Sequence, residues 1–279
     1  MSRGWGVIEF LREVLPGWAP EAFVYVTQLG DAWFLFVLLS LLYWFGDDRE
    51  RWGFVLGATL GALALTLLLK GLFGLPRPRA ALQFVHASGY GFPSGHAIGS
   101  TVVWGLLALS IERSHHHVRV AVAATVVALV ALSRLVIGVH FAVDVIVGVL
   151  VGLAYLAVVV RGLDWRPRPT FALAAGIAFA AMVVAVLVAP RNWTVDSVAA
   201  FGGTTGALVA WFAMDHPLND RVGPAAAVVG LLLLGALSYV GLRLSVPLSA
   251  VFVINAVSQG GILAYPRVVG RVGGRRVDS

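Results

Sequence analysis

The chain has 279 residues, of which 59% are hydrophobic and only 12% charged, and its net charge is +6. Soluble domains carry about a quarter charged residues, so this composition excludes a soluble globule and points to a membrane protein. The basic residues are scattered singly between apolar runs and form no stripe, which argues against a nucleic-acid partner. There is no cysteine, so disulfides, thiolate catalysis and thiolate metal sites are absent.

The first 20 residues mix Arg3, Glu9, Arg12 and Glu13 with Trp5, Ile8, Phe10, Leu11 and Leu15. That pattern predicts a short helix lying at the membrane interface, not a cleavable signal peptide. Nine candidate spans follow, near 25–45, 53–74, 95–112, 118–138, 141–160, 170–189, 195–213, 224–242 and 246–265. Gly30 and Asp31 interrupt the first, and the seventh is rich in glycine and threonine. The expected fold is an all-α, polytopic transmembrane bundle. Arg49, Arg51, Arg113, Arg161, Arg166, Arg168, Arg221, Arg267, Arg271, Arg275 and Arg276 lie in segments that the positive-inside rule assigns to the cytoplasm. The expected divisions are an interfacial segment at 1–20, a membrane core at 21–162, an additional four-span region at 163–266 and a basic cytoplasmic tail at 267–279.

Three polar clusters sit at the ends of these spans, where ionisable groups are costly and suggest function. The first runs from Lys70, the one lysine of the chain, to Arg77 and Pro78; Pro76 and Pro78 stop the helix and hold Arg77 beyond it. A snorkelling lysine followed by a loop arginine is the plain alternative. The second is Pro93, Ser94, Gly95 and His96. Ser94 is a natural N-cap, and the amides that follow it form an anion site at a helix N-terminus, with Gly95 allowing close backbone approach. An ordinary capped helix start is the alternative. The third holds Ser133, Arg134, His140 and Asp144. His140 and Asp144 are four residues apart on one helix face, so the carboxylate can fix the tautomer and leave the other nitrogen free to attack. A structural pair satisfying buried polar groups is the alternative.

The alternation of span directions puts all three clusters at one face, expected to be extracytoplasmic. Three cations, an amide nest and two histidines suit phosphoryl transfer. Arg77 and Arg134 can each grip two oxygens, Lys70 adds a point charge, His140 can attack and His96 can act as the acid. Carboxylate clusters of the magnesium-binding kind are missing from this face, and the cations oppose a divalent ion, so no metal or other cofactor is expected.

The three clusters resemble the signature of the type 2 phosphatidic acid phosphatase (PAP2) superfamily, related to vanadium haloperoxidases: Lys-x6-Arg-Pro, then Pro-Ser-Gly-His, then Ser-Arg-x5-His-x3-Asp. Lys70 to Pro78, Pro93 to His96 and Ser133 to Asp144 match it in order and internal spacing. The resemblance covers about residues 53–160 and implies a PAP2-type core. It implies a phosphohistidine on His140, oriented by Asp144. His96 would protonate the leaving group and then activate water. Lys70, Arg77, Ser94, Gly95 and Arg134 would bind the phosphoryl group. The expected activity is that of a cell-membrane phosphatase hydrolysing phosphatidic acid, phosphatidylglycerol phosphate or a polyprenyl pyrophosphate. The alternatives are a glucose-6-phosphatase-like sugar phosphatase, suggested by the nine spans, a lipid headgroup phosphotransferase, and a non-catalytic anion binder or transporter. The sequence carries no sign of the oligomeric state.

Four features stand outside this reading. The run His115, His116 and His117 and the pair Asp215 and His216 read as solvated turns, and the glycines between Gly202 and Gly206 as a surface for close helix packing. His86, in the loop between the first two clusters, is expected to have no catalytic role.

Overall fold

The computed structural model describes residues 6–111, 115–188, 191–214 and 222–274, with backbone only at 191–192, 243 and 272–274. Asp215, His216, Arg113, Arg221, Arg275, Arg276 and the first five residues of the interfacial segment lie outside them. All regular structure among the described residues is helical. The elements are α1 (Val7–Val14), α2 (Ala19–Val26), α3 (Ala32–Phe45), α4 (Arg49–Phe73), α5 (Gly95–Ser110), α6 (His116–Val136), α7 (Ala142–Gly162), α8 (Pro167–Val188), α9 (Arg191–Ala213), α10 (Pro224–Arg243) and α11 (Leu248–Gly274). A short 3-10 turn, Thr27–Gly30, follows α2 directly.

Among the described residues six helices, α4, α6, α7, α8, α10 and α11, are long and apolar enough to cross a membrane, or seven spans if α2 and α3, bent by 44° at their break, count as one. The expectation of nine is corrected accordingly, for three physical reasons. The first span is broken at Asp31, where the chain turns extended before α3 begins. Helix α5 has 16 residues, about 24 Å of rise against a hydrocarbon core of about 30 Å. Helix α9 is long enough, but Thr194, Asp196, Ser197, Thr204 and Thr205 dilute its apolar character. Outward-facing side chains such as Leu150, Val158, Leu187, Leu232 and Leu233 are exposed, as lipid-facing residues are.

The chain forms two compact units: one of residues 1–35 and 66–162, the other of 36–65 and 163–279. In the first, α5 packs on α6 and α7, and the segment from α2 through the 3-10 turn packs on α6. Helix α5 starts at Ser94, whose side chain accepts from the Ala97 N–H (3.5 Å). Helix α6 ends at Val136, and just beyond it Gly138 has φ +73° and a Cβ there would collide with the Leu82 carbonyl. Only glycine fits there, and the chain therefore turns at once into α7.

In the second unit α9 packs mainly on α11 and α8. A Cβ on Gly202 or Gly206 would strike the backbone of Phe252 or Ala256, so these glycines let α9 and α11 meet backbone to backbone. Trp44 Nε1 donates to the Ile262 carbonyl (2.8 Å), and its ring lies 4.8 Å from that of Tyr265. Tyr265 in turn donates to the Ala226 carbonyl (2.5 Å). Amphipathic aromatics here satisfy backbone carbonyls of the helix bundle while burying their rings.

Candidate active site

The eight residues expected to bind or react with the phosphoryl group (Lys70, Arg77, Ser94, Gly95, His96, Arg134, His140 and Asp144) lie in the first unit, and direct contacts tie the three clusters together. The amide of Ser94 donates to the carbonyl of Asp144 (2.9 Å), locking the start of α5 to the first turn of α7. Arg77 reaches across from the loop after α4. Its Nη1 stands 3.1 Å from Nε2 of His140 and donates to the Val139 carbonyl at 3.0 Å, while its Nε donates to the Ser88 carbonyl at 2.9 Å. Lys70 Nζ donates to the Tyr90 carbonyl at 3.0 Å. The loop between α4 and α5 is thus held by Lys70, in the last turn of α4, and by its own Arg77.

His140 is 1% exposed and Asp144 fully enclosed. Nδ1 of His140 lies 3.6 Å from Oδ2 of Asp144, and that oxygen also accepts from the Phe141 amide (3.0 Å). The separation is just beyond hydrogen-bond range, and Nδ1 is buried without another acceptor. A shift of a few tenths of an ångström closes it, as is common for catalytic hydrogen bonds in unliganded sites. With Arg77 donating to Nε2, the consistent tautomer carries its proton on Nδ1, facing the carboxylate. Burial, then Lys70, Arg134 and Arg77, hold this imidazole well below the ordinary histidine range, so it is neutral at pH 7. Burial also pulls Arg77 down and Asp144 opposes it; a guanidinium starts so high that it stays charged.

Arg134 is 7% exposed at the end of α6. Its Nη1 donates to the hydroxyl of Thr27 (2.6 Å), and its Nε is buried without a hydrogen-bond partner. A buried donor left unpaired costs about 1–3 kcal/mol, which is tolerable where the group is held for an anion. A Cβ on Gly95 would meet Cγ2 of Thr66 at 2.8 Å, so this glycine also seats α5 against α4.

Two groups at the site were not anticipated. Thr27 holds Arg134, and Asp31 places Oδ2 3.6 Å from Nε2 of His96. Both come from the break in the first span. The signal was present: an aspartate interrupting an apolar run is expensive and asks for a reason. No group of three or more histidine, aspartate or glutamate side chains among the described residues could hold a metal ion.

Residues 51–168 match the model of the PAP2 superfamily. The chain is 32% identical over 159 residues to phosphatidylglycerophosphatase B of Bacillus subtilis, covering 53% of this chain and 76% of that protein. The chain belongs to the PAP2 superfamily. A crystal structure of a transmembrane PAP2-type phosphatidylglycerolphosphate phosphatase from Bacillus subtilis superposes with TM-score 0.53 at 25% identity, over 57% of this chain and 83% of that one. The PAP2 match runs from α4 to the start of α8 and so contains all three motif clusters. Thr27 and Asp31 lie before it. This PAP2 protein is an integral-membrane phosphatase with an all-α bundle.

Proposed function

We propose that the protein removes a terminal phosphate from a membrane lipid, with phosphatidylglycerol phosphate the first candidate and phosphatidic acid and polyprenyl pyrophosphate next. The observation that carries this is Arg77 Nη1 standing 3.1 Å from Nε2 of a buried, neutral His140, with Lys70 and Arg134 close by. Such a nitrogen is a nucleophile already surrounded by the cations that a phosphoryl group needs. The names of the relatives favour a phosphatidylglycerol phosphate headgroup.

In this reading Arg77, Arg134, Lys70 and the amides at Ser94 and Gly95 bind the equatorial phosphoryl oxygens. Arg77 gives up its contact with Nε2 to a phosphoryl oxygen as the substrate enters. Nε2 then attacks phosphorus, the bond to the leaving oxygen breaks, and His96 supplies that oxygen with a proton. Asp144 stabilises the charge that grows on the His140 ring. In the second step His96 takes a proton from water, the water oxygen bonds to phosphorus, and the P–N bond returns its electrons to His140.

The site is proposed to face outside the cytoplasm. Helix α7 carries Asp144 in its first turn and Arg161 in its last, with Arg166 and Arg168 just beyond. Its 21 residues span about 30 Å, enough to separate Asp144 from Arg161 by a membrane, and the positive-inside rule favours the arginine end inside. Residues 21–162 would carry the reaction and 163–266 would be an added membrane region, flanked by an interfacial segment at 1–20 and a basic cytoplasmic tail at 267–279. The sugar-phosphatase alternative drew on nine spans and loses that support.

The test is phosphate release by detergent-purified protein in chelator, from phosphatidylglycerol phosphate, phosphatidic acid, a polyprenyl pyrophosphate and glucose 6-phosphate, each beside His140→Ala. Release from a lipid that disappears in the variant is the expected result. Release from glucose 6-phosphate alone, or none from any lipid, would overturn the lipid assignment.

A further inference from the structure

The break in the first span has a shape that a simple helix interruption does not need. Asp31 is extended (φ −79°, ψ 141°) between the 3-10 turn and α3, and its Oδ1 accepts from the Trp33 amide (3.3 Å). That is an N-cap, and one oxygen suffices for it. The other oxygen, Oδ2, is turned to Nε2 of His96 at 3.6 Å, with both side chains about two-thirds or more enclosed (35% and 24% exposed). The same segment supplies Thr27 to Arg134. The break therefore addresses two different members of the site from outside the three motif clusters.

We propose that Asp31 is the positioning residue of the general acid: it faces Nε2 of His96 at 3.6 Å, leaves Nδ1 to face the leaving oxygen, and favours the protonated form of that ring. The proposal rests on the reading of His96 as the acid. Its chemistry mirrors the pair across the site, where Asp144 serves the nucleophile. The charged and titratable groups around His96 are Asp31 from the break, Arg134 from α6, Lys70 from α4 and His140 from the turn before α7. Burial, then Arg134 and Lys70, oppose an imidazolium and lower His96 to about 4; Asp31 is the carboxylate that works against them, in concert with the negative charge an entering phosphate brings.

The test separates a missing acid from a damaged fold. Asp31→Asn removes the charge but keeps the cap, and Asp31→Ser keeps the cap without the reach to His96. Each is compared with wild type and His96→Ala, in kcat/KM, on dioctanoyl phosphatidic acid and on p-nitrophenyl phosphate, whose good leaving group needs little protonation. Loss of acid assistance predicts that Asp31→Asn and Asp31→Ser fall about 10- to 100-fold on the lipid and at most about threefold on the aryl phosphate. The alkaline limb of the lipid pH profile should move to lower pH in Asp31→Asn, and Asp31→Glu should recover part of the rate. Equal losses on both substrates, or an unmoved alkaline limb, would overturn the proposal. If His96→Ala itself hits both substrates equally, the acid assignment of His96 fails first. If His96→Ala discriminates and the Asp31 variants do not, the proposal for Asp31 fails alone.

Discussion

The two units bury polar groups in different ways. In the unit of residues 1–35 and 66–162, the buried polar set includes Lys70, Arg134, His140 and Asp144, and two of their nitrogens lack a hydrogen-bond acceptor. In the other unit the buried polar side chains are mostly hydroxyls and amides, such as Thr170, Thr204, Asn255 and Ser258, each donating to a backbone carbonyl of a helix. Its buried ion, Arg49, donates to the Trp44 carbonyl (3.3 Å) and lies over the Tyr43 ring. Neutral groups bonded within helices stabilise packing at little desolvation cost. Ionisable groups gathered in one place carry a large one and are kept only where chemistry needs them. Burial alone therefore does not mark the site, nor does a single buried ion; several buried charges gathered in one place do.

The sharpest way to break that contrast is His140→Ala. Turnover should fall by roughly 10³-fold or more, with the melting temperature held, because one nucleophile carries the first step. Activity near wild type would remove the phosphohistidine from the account. Next in size is Arg134→Lys, expected to cost about 10²-fold in kcat/KM because a lysine cannot offer the planar fork. Vanadate, which mimics the pentavalent transition state, should bind that variant correspondingly more weakly in an inhibition assay. A wild-type vanadate constant in Arg134→Lys would take Arg134 out of the anion site.

The depressed His140 gives a pH signature. The neutral ring is the active form and its folded pKa lies below the usual value, so protonation of the nucleophile should not reduce kcat/KM as pH falls through about 6.5. The same shift acts on stability. The unfolded ring takes up a proton near about pH 6.5 and the folded one resists, so His140 contributes stability above that pH which is lost progressively below it. Denaturant titrations at pH 7.5 and 5.5 should show this loss in wild type and less of it in His140→Gln. The smallest effect belongs to the second unit. Trp44→Phe removes the bond to the Ile262 carbonyl and should lower stability by about 1 kcal/mol with kcat unchanged. A large fall in kcat would erase the distinction between the two units.

Much of the site was legible because its chemistry fixes residue spacing. His140 and Asp144 must share a helix face, Ser94 must cap α5, and Arg77 must follow a proline stop, so a linear pattern carries a three-dimensional constellation. The phosphatase reading and the PAP2 relationship followed from those residues. Asp31 and Thr27 were not legible as site residues, because they reach the site through the fold of a broken span and not through a fixed spacing from any motif. Apolar windows were a poorer guide to spans. They registered α5 and α9 as crossings, although α5 is too short and α9 is lined with hydroxyls and glycines that serve helix packing.

The most direct test of the central claim is to trap the phosphorylated enzyme. Purified protein would be mixed with phosphate-labelled phosphatidylglycerol phosphate, quenched within milliseconds in alkali, digested and mapped. The account predicts label on the peptide holding His140, stable to alkali, lost in acid, and absent from His140→Ala. Label on another side chain, or full turnover with no trapped phosphoenzyme at any quench time, would contradict it.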